Sequence, residues 1–128
     1  MPNLYIIAGC NGAGKTTASF ALLPDILDCR EFINADIIAA KIYPLHPERV
    51  AFQAGRIMLS RIHQLMQEKA DFAFETTLAT RSYVSLIKTA KTLAIPLHLF
   101  IFGWIHQNWV SKECLNAYRK VATIFHMR

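Results

Sequence analysis

Short apolar segments alternate with longer segments of helical character along the first 102 residues of the chain. The apolar segments are bounded by glycine or polar residues, as buried strands are. They lie at residues 4–8, 31–34, 72–74 and 95–102. Composition and apolar spacing predict helices at residues 15–23, 48–69 and 80–94, with Pro24 ending the first and Pro47 in the first turn of the second. This alternation predicts an α/β fold with a mainly parallel sheet and helices on both faces.

Glycine is concentrated in the loop after the first apolar segment. Three of the 5 glycines lie within residues 9–14, in the sequence Gly-Cys-Asn-Gly-Ala-Gly-Lys-Thr that ends at Thr16. This matches G-x-x-x-x-G-K-[ST] between a predicted strand and a predicted helix, the context that the motif requires. The candidate nucleotide-binding residues are Gly9, Asn11, Gly12, Ala13, Gly14, Lys15, Thr16 and Thr17.

The chemistry of this loop suits a nucleotide phosphate chain. Backbone N–H groups converge on phosphate oxygens, and the helix N-terminus adds partial positive charge. We expect Lys15 to neutralise the β- and γ-phosphates and the Thr16 hydroxyl to ligate Mg²⁺. The motif therefore predicts a P-loop NTPase-type three-layer sandwich that binds ATP or GTP with Mg²⁺.

Two carboxylates follow predicted strands and, with Lys15, are the candidate catalytic residues. Asp36 follows the second strand and Glu75 the third, at the edge where open α/β sheets bind ligands. Asp36 suits a general base that takes a proton from an acceptor hydroxyl, and Glu75 suits a magnesium-associated or substrate-positioning carboxylate. Helix capping is the alternative role for each. Candidate substrate contacts are Asp36, Glu75, Thr76 and Arg81, the last of which is otherwise a surface arginine.

Composition narrows the class of protein. The chain has 128 residues, 53% of them hydrophobic and 18% charged, which predicts one globular domain. The net charge of +5 is scattered along the sequence without a basic run, so we expect no nucleic-acid partner. Three cysteines without C-x-x-C spacing indicate reduced thiols. With no basic leader and no apolar run of membrane-spanning length, we expect a cytoplasmic protein without a membrane partner.

The ordered motifs resemble one family of P-loop kinases. The P-loop, Asn34-Ala35-Asp36, a long helix containing Gln-Ala-Gly-Arg, and Phe74-Glu75-Thr76-Thr77 together are similar to the zeta toxin family, over residues 1–102. The resemblance implies ATP- or GTP-dependent phosphorylation of a hydroxyl on a small molecule such as a nucleotide sugar, and an antitoxin protein as partner. By position it assigns nucleotide and Mg²⁺ to Lys15 and Thr16, the base to Asp36 and substrate positioning to Glu75.

Two other functional classes fit parts of the sequence. One is a nucleotide-binding remnant without catalysis. The other is a transporter-type (ABC-type) ATPase that moves nucleic acid or a solute, since the P-loop is similar to theirs. Such ATPases need a separate Ser-Gly-Gly signature, which this sequence lacks.

The resemblance stops near Gly103, and residues 103–128 form an atypical tail. Both tryptophans lie there, and helical periodicity is poor. Back-translation into the shifted reading frame permits Leu-Asp-Ser-Pro-Glu-Leu-Gly and then Gly-Gly-His-Asn-Ile-Pro, similar to the continuation found in the zeta toxin family. A divergent C-terminal helix is the alternative. We expect an out-of-frame tail, loss of the lid that carries basic residues, and impaired phosphoryl transfer.

Overall fold

A computed structural model describes residues 2–9, 14–25, 28–76, 81–102 and Arg119. Strands and helices alternate through this part of the chain. In chain order they are β1 (Leu4–Gly9), α1 (Lys15–Asp25), β2 (Phe32–Ile33), α2 (Ala35–Ile42), a short 3-10 helix (Pro47–Val50), α3 (Ala51–Gln67), β3 (Phe72–Thr76), α4 (Arg81–Thr92) and β4 (Leu97–Phe102). No helix in the described part is long and apolar enough to cross a membrane.

The four strands form one parallel sheet in the order β2-β3-β1-β4. Within it, Ile6 of β1 lies opposite Phe74 of β3 and Leu99 of β4. Because the strands are parallel, their carboxyl ends meet at a single edge of the sheet. Residues that follow β1, β2 and β3 are therefore brought to the same edge, although they are distant in sequence.

The alternation of side chains along each strand divides the core into two layers. On one face, alternate residues of β1 and β3, including Ile6 and Phe74, pack against α3 and α4. On the other face, Tyr5, Ile7 and Ala73 pack with Leu23 of α1 and Cys29. Leu4 to Ala8 are all buried, as expected of a strand covered on both sides. The α/β fold with a parallel sheet between helical layers is confirmed.

Three local features differ from the prediction. α1 extends through Pro24 to Asp25, because proline keeps a helix-compatible φ and costs one backbone hydrogen bond near the end of the helix. α2 was not foreseen, although Asn34 caps it. The helix expected at residues 48–69 is divided into a 3-10 turn with Pro47 in its first turn and α3 itself. The predicted tail lies outside the described residues, apart from Arg119.

Candidate functional site

The site is built around the start of α1, at the carboxyl end of β1. Gly14 precedes the helix with a φ of +82°, a left-handed conformation that side chains other than glycine adopt only with strain. A Cβ added to Gly14 would meet nothing within 4 Å, so its backbone conformation, rather than lack of space, calls for glycine. The sequence thus turns directly from the glycine-rich loop into a helix whose N-terminus faces the edge of the sheet.

Lys15 is a buried cation at this N-terminus, with only 4% of its side chain exposed. Its Nζ donates a hydrogen bond to the Gly9 carbonyl at 2.9 Å and lies 3.9 Å from Oε1 of Glu75. Burial lowers the pKa of Lys15, while the negative charges of Glu75 and Asp36 act to raise that pKa. The ammonium group is thus held between the end of β1 and a carboxylate of β3.

Glu75 is the centre of a hydrogen-bond network that joins three elements. Its Oε2 accepts a hydrogen bond of 2.8 Å from the Thr16 hydroxyl of α1 and one of 2.7 Å from Nδ2 of Asn34. The Asn34 amide also lies 3.4 Å from the Thr16 oxygen. With Lys15 near its other oxygen, Glu75 faces donors or positive charge on both oxygens.

Asp36 lies beside this network, in the first turn of α2. The backbone N–H of Asp36 donates a hydrogen bond to Oδ1 of Asn34, and Asp36 is exposed to solvent. The cap of α2 is therefore Asn34, rather than Asp36 as the capping alternative had it. The Asp36 carboxylate is exposed at the N-terminus of α2, and its negative charge opposes the lowering of the Lys15 pKa by burial.

The structure brings some of the predicted residues together and leaves others undescribed. Gly9, Lys15, Thr16 and Glu75 are joined by direct contacts. Thr17 is exposed in the first turn of α1, and Thr76 is buried at the end of β3, where it hydrogen-bonds Tyr83. The loop residues Asn11, Gly12 and Ala13 lie outside the described residues, as does the side chain of Arg81, which begins α4.

Asn34 is a site residue to which the sequence analysis gave no role beyond its place in the Asn34-Ala35-Asp36 motif. Its side chain is 5% exposed and contacts both Glu75 and Thr16. The available signal was its position one residue after a strand and just before Asp36, at a place where asparagine commonly caps a helix. No sequence pattern indicated that the other end of the same amide would reach β3.

The oxygen donors fit a magnesium ion held mainly by phosphates and water. Thr16 donates its hydroxyl proton to Glu75, which leaves lone-pair capacity on the hydroxyl oxygen for a metal. Mg²⁺ prefers oxygen ligands and is commonly bound through one or two protein groups plus substrate phosphates. The described residues contain no group of three or more His, Cys, Asp or Glu side chains that could hold a metal ion by themselves.

Two solved structures share this architecture. A protein from Chloroflexus aurantiacus, provisionally described as a kinase, matches over 79% of this chain and 59% of its own, with a TM-score of 0.64 and 18% identity. A structure of a Pnkp1/Rnl/Hen1 complex matches over 87% of this chain and 41% of its own, with a TM-score of 0.57 and 17% identity. The chain therefore shares the α/β fold of these two structures.

Sequence comparison adds one relative and no family. A protein of Haemophilus influenzae, described only as uncharacterised, is 32% identical over 95 residues, which are 74% of this chain and 66% of that protein. The chain thus spans slightly less than two thirds of this relative, and less of the structural neighbours. No protein-family profile matches the chain.

Proposed function

We propose that this protein is a P-loop phosphotransferase that binds ATP or GTP with Mg²⁺ and transfers the γ-phosphoryl group to a hydroxyl of a small molecule. The observation that carries the proposal is the meeting of Lys15, Thr16 and Glu75 directly after Gly14, at the carboxyl edge of a parallel sheet. A kinase-like fold is compatible with it. Fold alone does not establish an activity, so the proposal depends on these side chains.

In this proposal Lys15 serves the phosphate chain. Phosphoryl transfer depends mainly on positioning and on positive charge around the transferring group. Lys15 is already ordered at the N-terminus of α1, where the helix dipole also favours an anion. A magnesium ion bound at Thr16 would neutralise charge on the β- and γ-phosphates, and the Thr16–Glu75 hydrogen bond supports a magnesium-associated position for Glu75.

Asp36 is the proposed general base. A base must come within hydrogen-bond distance of the hydroxyl that it deprotonates, and the exposed position of Asp36 beside the buried network leaves its carboxylate accessible. The acceptor class, a small hydroxyl compound of nucleotide-sugar type, comes from the resemblance of the motifs to the zeta toxin family. The same resemblance is the basis for proposing an antitoxin partner.

A second part of the proposal concerns the reading frame of residues 103–128. We propose that it is read out of frame, so that the chain keeps the nucleotide site but lacks the basic lid and transfers phosphate slowly. Loss of an arginine that stabilises the transferring group costs about 10³–10⁵-fold in rate. Sequencing the coding DNA tests this directly. The frame proposal is discarded if the shifted frame does not encode Gly-Gly-His-x-Ile-Pro.

The function is tested by measuring nucleotide binding and turnover separately. We expect Lys15→Ala to weaken Mg–ATP binding by about 10–100-fold, because a charge-assisted contact to phosphate is lost. We expect Asp36→Asn to bind Mg–ATP as the wild type does and to lose transfer. Equal ATP affinity of the wild type and Lys15→Ala would remove the nucleotide assignment. Binding without turnover of any hydroxyl acceptor would support the nucleotide-binding remnant instead.

A further inference from the structure

Asn34 uses the two ends of one amide for two different tasks. Its Oδ1 accepts hydrogen bonds from the backbone N–H groups of Asp36 at 2.7 Å and Ile37 at 3.2 Å, which caps α2. Its Nδ2 donates to Oε2 of Glu75 at 2.7 Å. With 5% of the residue exposed, water has little access to either end.

The cap fixes the orientation of the amide. Backbone N–H groups are donors only, so the atom that faces them must be the oxygen, and the NH₂ group must face Glu75 and Thr16. Flipping the amide would place two donors against the helix end and an oxygen against a carboxylate. The start of α2 therefore determines which hydrogen-bonding group the carboxylate of Glu75 meets.

The same orientation constrains Thr16. Because Nδ2 of Asn34 is a donor and lies 3.4 Å from the Thr16 oxygen, the hydroxyl proton points away from it, toward Oε2 of Glu75 at 2.8 Å. One lone pair of the hydroxyl then faces the Asn34 amide, and the other is directed away from Glu75, as a metal ligand requires. Asn34 thus contacts both Glu75 and Thr16 but is not itself a candidate ligand of the magnesium ion.

We propose that Asn34 is a positioning residue that holds Glu75 and the Thr16 hydroxyl in the geometry for binding the magnesium–nucleotide complex, and that ties this geometry to the helix bearing Asp36. This inference rests on the proposed nucleotide-binding function. Hydrogen-bond partners that orient metal-associated groups typically contribute about 10–100-fold to metal affinity or activity. A helix cap alone would stabilise α2 and leave the requirement for Mg²⁺ unchanged.

Replacing Asn34 by serine tests the capping of α2 and the positioning of Glu75 separately. Asn34→Ser keeps a good cap for α2, but its shorter side chain ends in a hydroxyl that cannot replace the amide donor to Glu75. The matched control is Ala40→Gly, at an exposed position of α2, which weakens the helix without altering the amide. The readouts are the Mg²⁺ concentration that half-saturates binding of a fluorescent ATP analogue to the full chain, and the Tm of the protein without ligand.

We expect Asn34→Ser to raise the half-saturating Mg²⁺ concentration about 10–100-fold, with a Tm no lower than that of Ala40→Gly. In a Glu75→Ala background the serine substitution has a smaller further effect, because the stronger of the two contacts of the Asn34 amide, the one to Glu75, is already lost. An unchanged Mg²⁺ requirement in Asn34→Ser, or equal effects of the serine substitution with and without Glu75, overturns the inference. Failure of the wild type to bind the ATP analogue removes the proposed function as well, so the two failures are distinguishable.

Discussion

The two ends of β3 each carry a carboxylate with an asparagine partner, yet their surroundings differ. At the amino end, exposed Asp71 accepts the Asn3 backbone N–H at 2.6 Å, with the Asn3 amide at 3.4 Å. At the carboxyl end, Glu75 accepts the Asn34 amide at 2.7 Å, and its side chain is 11% exposed. The pair at the amino end of the strand is therefore exposed to solvent, whereas the pair at the carboxyl end is largely buried.

The charges near the two ends also differ. At the carboxyl end, the buried cation Lys15 lies near two carboxylates, those of Glu75 and Asp36, which raise its pKa against the effect of burial. Toward the amino end, the buried thiol of Cys29 experiences the charges of Asp71, Glu31 and Asp28. Among the described residues, Lys15 and the N-termini of α1 and α2 supply positive potential where the parallel strands end, and open α/β folds bind ligands at that edge.

The largest expected effect on the free energy of unfolding comes from the buried middle of β3. Phe74 is fully buried and stacks on Tyr83 with ring centroids 5.6 Å apart. We expect Phe74→Ala to lower the free energy of unfolding by about 3–5 kcal/mol, measured by urea denaturation. Phe52→Ala, at a residue that is 81% exposed, serves as control and should change it by less than about 0.5 kcal/mol. Similar losses in both variants would contradict the assignment of the core.

The second-largest effect is expected from substitutions of the two carboxylates, Glu75 and Asp71, which can be compared directly. Glu75→Gln removes the charge beside buried Lys15, so we expect about 10–100-fold weaker Mg–ATP binding and a loss of about 1–3 kcal/mol in the free energy of unfolding. Asp71→Asn keeps an acceptor for Asn3 and should leave nucleotide binding unchanged. Binding titrations and denaturation of both variants check this. Equal effects on nucleotide binding would show that the position along β3 does not matter.

Alkaline pH provides a third measurement. Burial raises the pKa of Cys29 from 9.0 to about 11. The protonated thiol therefore stabilises the fold fully below pH 9, and this contribution is lost as pH rises through 11. Relative to Cys29→Ala, the wild type should lose about 1–3 kcal/mol of unfolding free energy across that interval. A stability difference that stays constant with pH would indicate that the thiol is not shielded.

The smallest effect is expected at the amino end. Asn3 contacts Asp71, and its Oδ1 lies 3.1 Å from Nε2 of His98 on β4. Because these groups are exposed, Asn3→Ala should cost less than about 1 kcal/mol in unfolding free energy and leave Mg–ATP binding intact. Thermal unfolding and the same binding titration measure both quantities. A loss of binding as large as that of Asn34→Ser would remove the distinction between the ends.

The sequence was sufficient to predict the four strands, the helices α1, α3 and α4, and the residues at the start of α1. Local sequence pattern is enough to recognise a buried strand such as Leu4 to Ala8. It is also enough to recognise the spacing of Gly9, Lys15 and Thr16. The contact of Asn34 with Glu75 depends on β2 pairing with β3, a long-range arrangement without a local signal. Asn34 was therefore underestimated, and α2 was missed because the chain turns into that short helix one residue after a strand of 2 residues.

The hydrogen bond from Lys15 to the Gly9 carbonyl has a consequence for the conformational entropy of this side chain. A lysine side chain that is mobile in solution loses about 2 kcal/mol of rotamer entropy when it is fixed. Here the ammonium of Lys15 donates a hydrogen bond of 2.9 Å to the Gly9 carbonyl, so part of this entropy cost belongs to folding. Under the proposed function, a phosphate oxygen would replace the Gly9 carbonyl as acceptor without a second loss of this entropy.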